Sequence, residues 1–157
     1  MKNLIIYGTK FGSTKECAQI LSEKIPETTV IDAKDYMTIK DLKSYDNIII
    51  GSNIIAERLN KYVVKFIKKN KEILSAKKVF GYIVAGADET KQNYTGKMAK
   101  LINGPVIFAG GVYDASKAKG ISKFFISKIV ESKAKKNEPL PKLKIDKLDE
   151  LASLITK

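Results

Sequence analysis

Short apolar runs alternate along the chain with segments whose apolar residues recur at helical spacing, a rhythm that predicts repeated strand–helix–strand units. Asn3 to Tyr7, Thr28 to Ile31, Ile48 to Ile50, Val79 to Ala85 and Val106 to Ala109 read as five strands. The third, Ile48-Ile49-Ile50 before Gly51, is so continuously apolar that both of its faces must be covered. Helices are predicted over Ser13 to Ile25, Asn60 to Leu74, Tyr94 to Ile102, Ile121 to Val130 and Lys147 to Ile155, with a short one over Met37 to Leu42. In the first, Ala18, Leu21 and Ile25 form one stripe, and Pro26 stands just beyond its end. Asn103-Gly104 closes the helix that begins at Tyr94. Right-handed crossovers leave few topologies, and a five-stranded parallel sheet of order 2-1-3-4-5 between two helical layers is the natural choice. The whole chain, residues 1–157, is expected to form one α/β domain, with a basic helical segment at about 112–140. That segment ends in Glu138-Pro139-Leu140-Pro141, which cannot continue a helix.

Composition narrows the chemistry. Of 157 residues 44% are apolar and 29% charged, a globular balance, and no apolar run approaches the ~20 residues of a spanning helix. The N-terminal run reads as a first strand and not as a leader, so the expected location is cytoplasmic. Cys17 is the single cysteine, which excludes an internal disulfide and a cysteine-based metal site. On its helix Cys17 reads either as a redox thiol or as a packed core residue. The absence of histidine removes the usual general base and the commonest transition-metal ligand, so whatever chemistry occurs here is expected to come largely from a cofactor. The net charge is +12, from 29 Lys+Arg against 17 Asp+Glu, and Arg58 is the only arginine. Base readout leans on arginine forks, so no nucleic-acid partner is expected.

The strongest local signal is Gly8-Thr9-Lys10-Phe11-Gly12-Ser13-Thr14, which joins the first strand to the first helix. A helix N-terminus presents unpaired N–H groups and a partial positive charge, and so receives a phosphate readily. Thr9, Ser13 and Thr14 add hydroxyls, Gly12 lets the backbone approach an anion, and Lys10 offsets its charge. The glycine spacing is neither that of a Walker loop nor that of the dinucleotide fingerprint. The same residues also read as a capped helix with nothing bound.

With Thr9, Gly12 and Thr14 in place after the first strand, this loop resembles the FMN-phosphate loop of the flavodoxin-like superfamily, with Lys10, Phe11 and Ser13 completing it. The resemblance implies a flavodoxin-like three-layer sandwich and FMN as cofactor. It further implies that Ser52, Asn53 and Ile54 meet one side of the flavin ring and Gly86, Ala87 and Asp88 the other. The loops Gly51–Ala56 and Ala85–Thr90 lack the aromatic residue that flavodoxins often stack on the ring. Ile54 or Ile55 would cover a face, or Tyr94 or Tyr113 would fold over it. Asp88 and Glu89 read either as groups that lower the flavin potential or as a solvated acidic turn.

Between Ala115 and Lys136 seven lysines stand against one acid, Glu131. The segment reads either as a helix lying on the inner face of an anionic membrane or as one packed on the sheet with its lysines in water. Ile107-Phe108-Ala109-Gly110-Gly111-Val112-Tyr113 followed by Lys123-Phe124-Phe125-Ile126 resembles the menaquinone-dependent protoporphyrinogen oxidase branch of that superfamily. Three functions are therefore expected to compete. One is an FMN electron carrier docking on an acidic redox partner protein. Another is an oxidoreductase passing electrons from a porphyrinogen to a quinone. The third is an FMN-free basic binding module.

Overall fold

In the computed structural model, which describes residues 1–86, 92–111, 121–137 and 142–157, Asn3–Gly8 form strand β1, buried along its whole length. β2 (Thr28–Asp32), β3 (Asn47–Ile55), β4 (Arg58–Leu59), β5 (Lys78–Val84) and β6 (Val106–Phe108) follow. The main path is β2-β1-β3-β5-β6, all parallel, and β4 pairs antiparallel with the end of β3. Apart from the two-residue β4, the predicted order holds. The helices are α1 (Ser13–Lys24), α2 (Lys61–Lys69), α3 (Lys71–Ser75), α4 (Tyr94–Ile102), α5 (Ile121–Lys135) and α6 (Ile145–Thr156).

Strand side chains alternate between two cores, as the period-two geometry requires. Leu4, Ile6, Ile48 and Ile50 pack with Val63, Phe66 and Ile67 of α2, Leu74 of α3, and Met98 and Ile102 of α4. Ile5, Ile49, Tyr82 and Val84 face Cys17, Ala18 and Leu21 of α1 and Leu148, Leu151 and Ile155 of α6. Both faces of β1 and β3 are thus covered, and each buried isoleucine contributes about 2 kcal/mol. At the amino edge the two strands are pinned by a buried amide pair: Asn47 Nδ2 donates to Asn3 Oδ1 at 2.8 Å, and Asn3 Nδ2 donates to the Pro26 carbonyl at 2.7 Å.

Four elements depart from the sequence reading. The predicted helix Met37 to Leu42 is replaced by two 3-10 turns, Ala33–Thr38 and Leu42–Ser44, with Met37 exposed. The helix expected over Asn60 to Leu74 breaks at Asn70, whose side chain donates to the Phe66 carbonyl at 2.9 Å. The segment Gly51–Ala56, expected to be a loop, is strand as far as Ile55, because Gly51, Ser52 and Asn53 pair with Tyr82, Ile83 and Val84 of β5. Within the basic segment, α5 spans Ile121–Lys135, and residues 112–120 and 138–141 lie outside the described residues.

Cys17 is wholly buried, and burial, with a smaller contribution from nearby Glu16, pushes its thiol up to about 12. It is a core residue, and a poor nucleophile because the thiolate is the reactive form. At pH 8 the folded protein is expected to resist a maleimide that labels the urea-unfolded chain at once; equal labelling rates would contradict this packing. The native thiol keeps its proton where the unfolded thiol, near 9.0, loses it. Its contribution to stability is therefore complete below about pH 9 and is lost as the pH rises toward about 12.

Among the described residues no helix is long and apolar enough to cross a membrane, and no group of three or more Cys, Asp or Glu is placed to hold a metal ion.

Candidate functional site

The carboxyl ends of β1, β3 and β5 open on one cleft, the position at which ligands bind in doubly wound sheets. Its walls are Thr9, Phe11, Ser13 and Thr14 from the β1–α1 turn, Asn53 and Ile54 from β3, Val84 at the end of β5 with Ala85 and Gly86, and Gly111 after β6. The hollow between these residues measures about 90 Å³, on the scale of a phosphate group, and it opens outward. One wall runs on in the chain into residues 87–91, and the wall at Gly111 runs into 112–120, both outside the described residues.

The turn has the geometry that receives an anion in other proteins. Gly12 sits in the left-handed region, φ 95°, and its N–H donates to Thr9 Oγ1 at 2.9 Å. Gly12 is also the N-cap of α1, and its carbonyl accepts from Glu16 N at 2.9 Å. Glycine has no side chain to cap the first-turn amides, so the N–H groups of Ser13, Thr14 and Lys15 are left for an external acceptor. Thr14 adds an unusual feature. Its Oγ1 is buried and has no hydrogen-bond partner among the described residues, although the residue lines the cleft. A buried hydroxyl without a partner costs about 1–3 kcal/mol, a sign that a ligand completes the site. Behind it Tyr82, fully buried, donates its hydroxyl to the Thr14 carbonyl at 2.9 Å and fixes the start of α1. Burial pushes the Tyr82 hydroxyl well above its ordinary value, so it stays a donor.

The second wall is held by a polar knot. Ser52 Oγ donates to the Asn53 carbonyl and accepts from Asn60 N, each at 2.9 Å. Asn60 Nδ2 donates to Asn53 Oδ1 at 2.9 Å, while Asn60 Oδ1 caps α2 by accepting from Tyr62 N at 3.0 Å. On the third side the Ala85 amide donates to the Gly110 carbonyl at 2.9 Å. A Cβ on Gly111 would meet the Ala85 carbonyl oxygen at 2.5 Å and Gly86 N at 2.9 Å, so glycine permits that close approach.

Of the residues read from the sequence, Thr9, Phe11, Ser13, Thr14, Asn53, Ile54 and Gly86 converge on the cleft. Gly12 shapes the turn without lining it. Ser52, expected to meet the flavin, is instead wholly buried and ties the end of β3 to Asn60. Lys10 is exposed and lies outside this cleft, its Nζ 5.4 Å from the Phe11 ring centroid. Tyr94, a candidate to fold over the ring, is buried in the core instead. Ile55 is exposed and does not reach the cleft. Ala87, Asp88, Glu89 and Tyr113 lie outside the described residues. Ala85, which opens the loop expected on this side, lines the cleft too, while Val84 and Gly111 are additions the sequence reading lacks; the adjacent glycines Gly110-Gly111 after β6 are the available signal. Among the described residues the aromatic side chain that reaches the cleft is Phe11, from the β1–α1 turn itself.

A doubly wound α/β sheet with a glycine-entered helix at its switch point is the architecture of the flavodoxin-like class. The chain belongs to the flavodoxin domain family, which matches residues 4–139. No curated protein matches the sequence. Among solved structures, the chain is similar to the two-electron reduced flavodoxin of Megasphaera elsdenii, with TM-score 0.56 and 20% identity over 68% of this chain and 85% of that one. It is similar to a flavoprotein from Lactobacillus acidophilus solved in complex with FMN, with TM-score 0.54 and 17% identity over 70% of this chain and 90% of that one. The Fusobacterium nucleatum flavodoxin bound to flavin mononucleotide gives TM-score 0.52 and 14% identity over 73% of each chain. These likenesses establish a shared fold.

Proposed function

We propose that the chain binds FMN and serves as a redox protein through it. The observation that carries this reading is the orphaned Thr14 hydroxyl above the open amides of α1. The phosphate would lie on the N–H groups of Ser13, Thr14 and Lys15 and accept from Thr14 Oγ1 and Ser13 Oγ. Thr9 holds the turn by accepting from Gly12 N. Asn53 and Ile54 on one side and Ala85 and Gly86 on the other would flank the ring and exclude water from part of it. Bound FMN supplies the electron-transfer chemistry, and the protein supplies position and electrostatics.

The test is direct. Protein stripped of flavin should quench the fluorescence of added FMN and take on its visible spectrum with one saturable site. A colourless protein that leaves FMN free in solution would overturn the proposal.

A second reading, a porphyrinogen oxidase using a quinone acceptor, is favoured by the lining of the β3 and β5 walls. Ile54, Val84 and Ala85 are small or aliphatic, so these residues would stack no aromatic side chain on the ring and would leave that face open to an organic substrate. Quinone-dependent porphyrinogen oxidation by the FMN-loaded protein tests it, and reduction of a protein acceptor alone would favour the carrier.

A further inference from the structure

A second and larger hollow, about 560 Å³, adjoins the phosphate turn on the other side of Thr9. That volume falls within the range of small-molecule sites, roughly 300–1,000 Å³. Four cations from three separate parts of the chain line it: Lys10 from the β1–α1 turn, Lys34 from the 3-10 turn after β2, Arg58 from β4, and Lys61 from the first turn of α2. Among the described residues no carboxylate lines it. The N-terminal turn of α2 opens into it as well, through Asn60, Lys61 and Tyr62, and adds the positive end of a nine-residue helix. A concavity lined by one sign of charge focuses its field and concentrates counter-ions.

The rest of the lining is not that of a site for a bare ion. Tyr62 lines one side, with the Lys61 ammonium 5.0 Å from its ring centroid, and Leu59 and the exposed Ile55 add aliphatic surface. Arg58 is the only arginine in a chain that otherwise uses lysine for every basic residue. Its planar fork suits two-point contact with a phosphate. The hairpin that carries it is held in place by the Ser52–Asn60 bond behind it.

We infer that this pocket binds a phosphorylated molecule of nucleotide size, with its phosphates among Lys10, Lys34, Arg58 and Lys61 and its aromatic body against Tyr62, Leu59 and Ile55. That ligand has two sources: a free nucleotide, or the adenylate half of a dinucleotide flavin whose other phosphate lies in the α1 turn. Only the second source rests on the FMN reading. Thr9, which lines both cavities, is where the two halves would join.

The probes are ADP, titrated calorimetrically into flavin-free and FMN-loaded protein, and FMN against FAD, followed by flavin fluorescence. Arg58→Ala and Lys34→Ala are the variants, both at exposed positions away from the FMN cleft. Each is expected to weaken ADP or FAD binding about tenfold, the effect of losing one charge-assisted contact. FMN affinity should stay within about twofold, as for other surface changes. Saturable ADP binding to FMN-loaded protein identifies the free nucleotide. FAD binding tighter than FMN, with the advantage lost in Arg58→Ala, identifies the dinucleotide. The inference is overturned if FMN binds while ADP does not and FAD gains nothing over FMN. It is overturned equally if both variants leave ADP and FAD affinities unchanged. ADP binding without FMN binding would remove the FMN proposal and leave this one standing.

Discussion

Thr14→Val is expected to weaken FMN binding by about ten- to a hundredfold while leaving the fold at least as stable as before. A hydrogen bond to a charged group contributes about 1.5–3 kcal/mol, and each 1.4 kcal/mol is tenfold in affinity. Valine keeps the shape of threonine and removes only the hydroxyl, which has no partner among the described residues. Removing an unpaired buried hydroxyl relieves a cost, so the urea midpoint should hold or rise. A hydroxyl that served only to stabilise the fold would behave in the opposite way, with lower stability and unchanged FMN affinity. Equilibrium unfolding and fluorescence titration on one preparation separate these outcomes. The hydroxyl must be treated together with the backbone it sits on, because Tyr82 holds the Thr14 carbonyl from beneath.

Gly51→Ala is expected to destabilise the protein by about 3 kcal/mol, at the upper end for overpacking a close-packed interior. Gly51 lies in β3 between Tyr7 of β1 and Tyr82 of β5. A Cβ there would fall on the Cζ and hydroxyl oxygen of Tyr82, a ring with no exposed surface and nowhere to retreat. Moving the ring would also break its bond to Thr14, so FMN affinity should fall along with stability. The double variant Gly51→Ala/Tyr82→Leu tests the cause. If the clash is with the ring, the pair should cost less than the sum of the two single changes, a coupling expected between residues in contact. Strict additivity in urea unfolding would place the damage elsewhere.

The two changes act on one construction, an α1 N-terminus left without a side-chain cap and supported from the sheet below. The half of it that lies in the turn is visible in the sequence. Thr9, Gly12 and Thr14 sit a few residues apart, the entering strand is uniformly apolar, and helix period begins at Ser13. The supporting half was not visible. Nothing local connects Tyr82 with Thr14, 68 residues apart, or assigns Ser52 to the Asn60 amide and not to a ligand. Those pairings depend on the register of β1, β3 and β5, which exists only once the sheet has assembled.

The elements divide along the same line. Tyr94–Ile102 came out with the predicted bounds, because Asn103 takes the left-handed conformation that ends the helix, φ 52°, and both signals lie within one stretch of chain. The end of β3 did not, because Gly51 to Asn53 stay extended through bonds to β5, a partner the local sequence does not reveal. The helix from Asn60 broke at Asn70, where the side-chain amide competes for the Phe66 carbonyl while the apolar period continues unbroken to Leu74. The short helix expected over Met37 to Leu42 is absent, and Met37, 76% exposed, buries no face that would support one.

By itself the amino-acid sequence determined the α/β alternation, the main strand order and the glycine-entered β1–α1 turn, because each depends on residues close in the chain and on the handedness of the peptide backbone. Tertiary structure alone decided that Gly111 and Val84 line the cleft, that Ser52 turns inward, and that Lys34 and Arg58 meet Lys10 around a common hollow. The physical reason is range. Turns and helix starts are settled by contacts a few residues apart, whereas a site at the carboxyl edge of a sheet is assembled from loops whose spacing in sequence says nothing of their spacing in space.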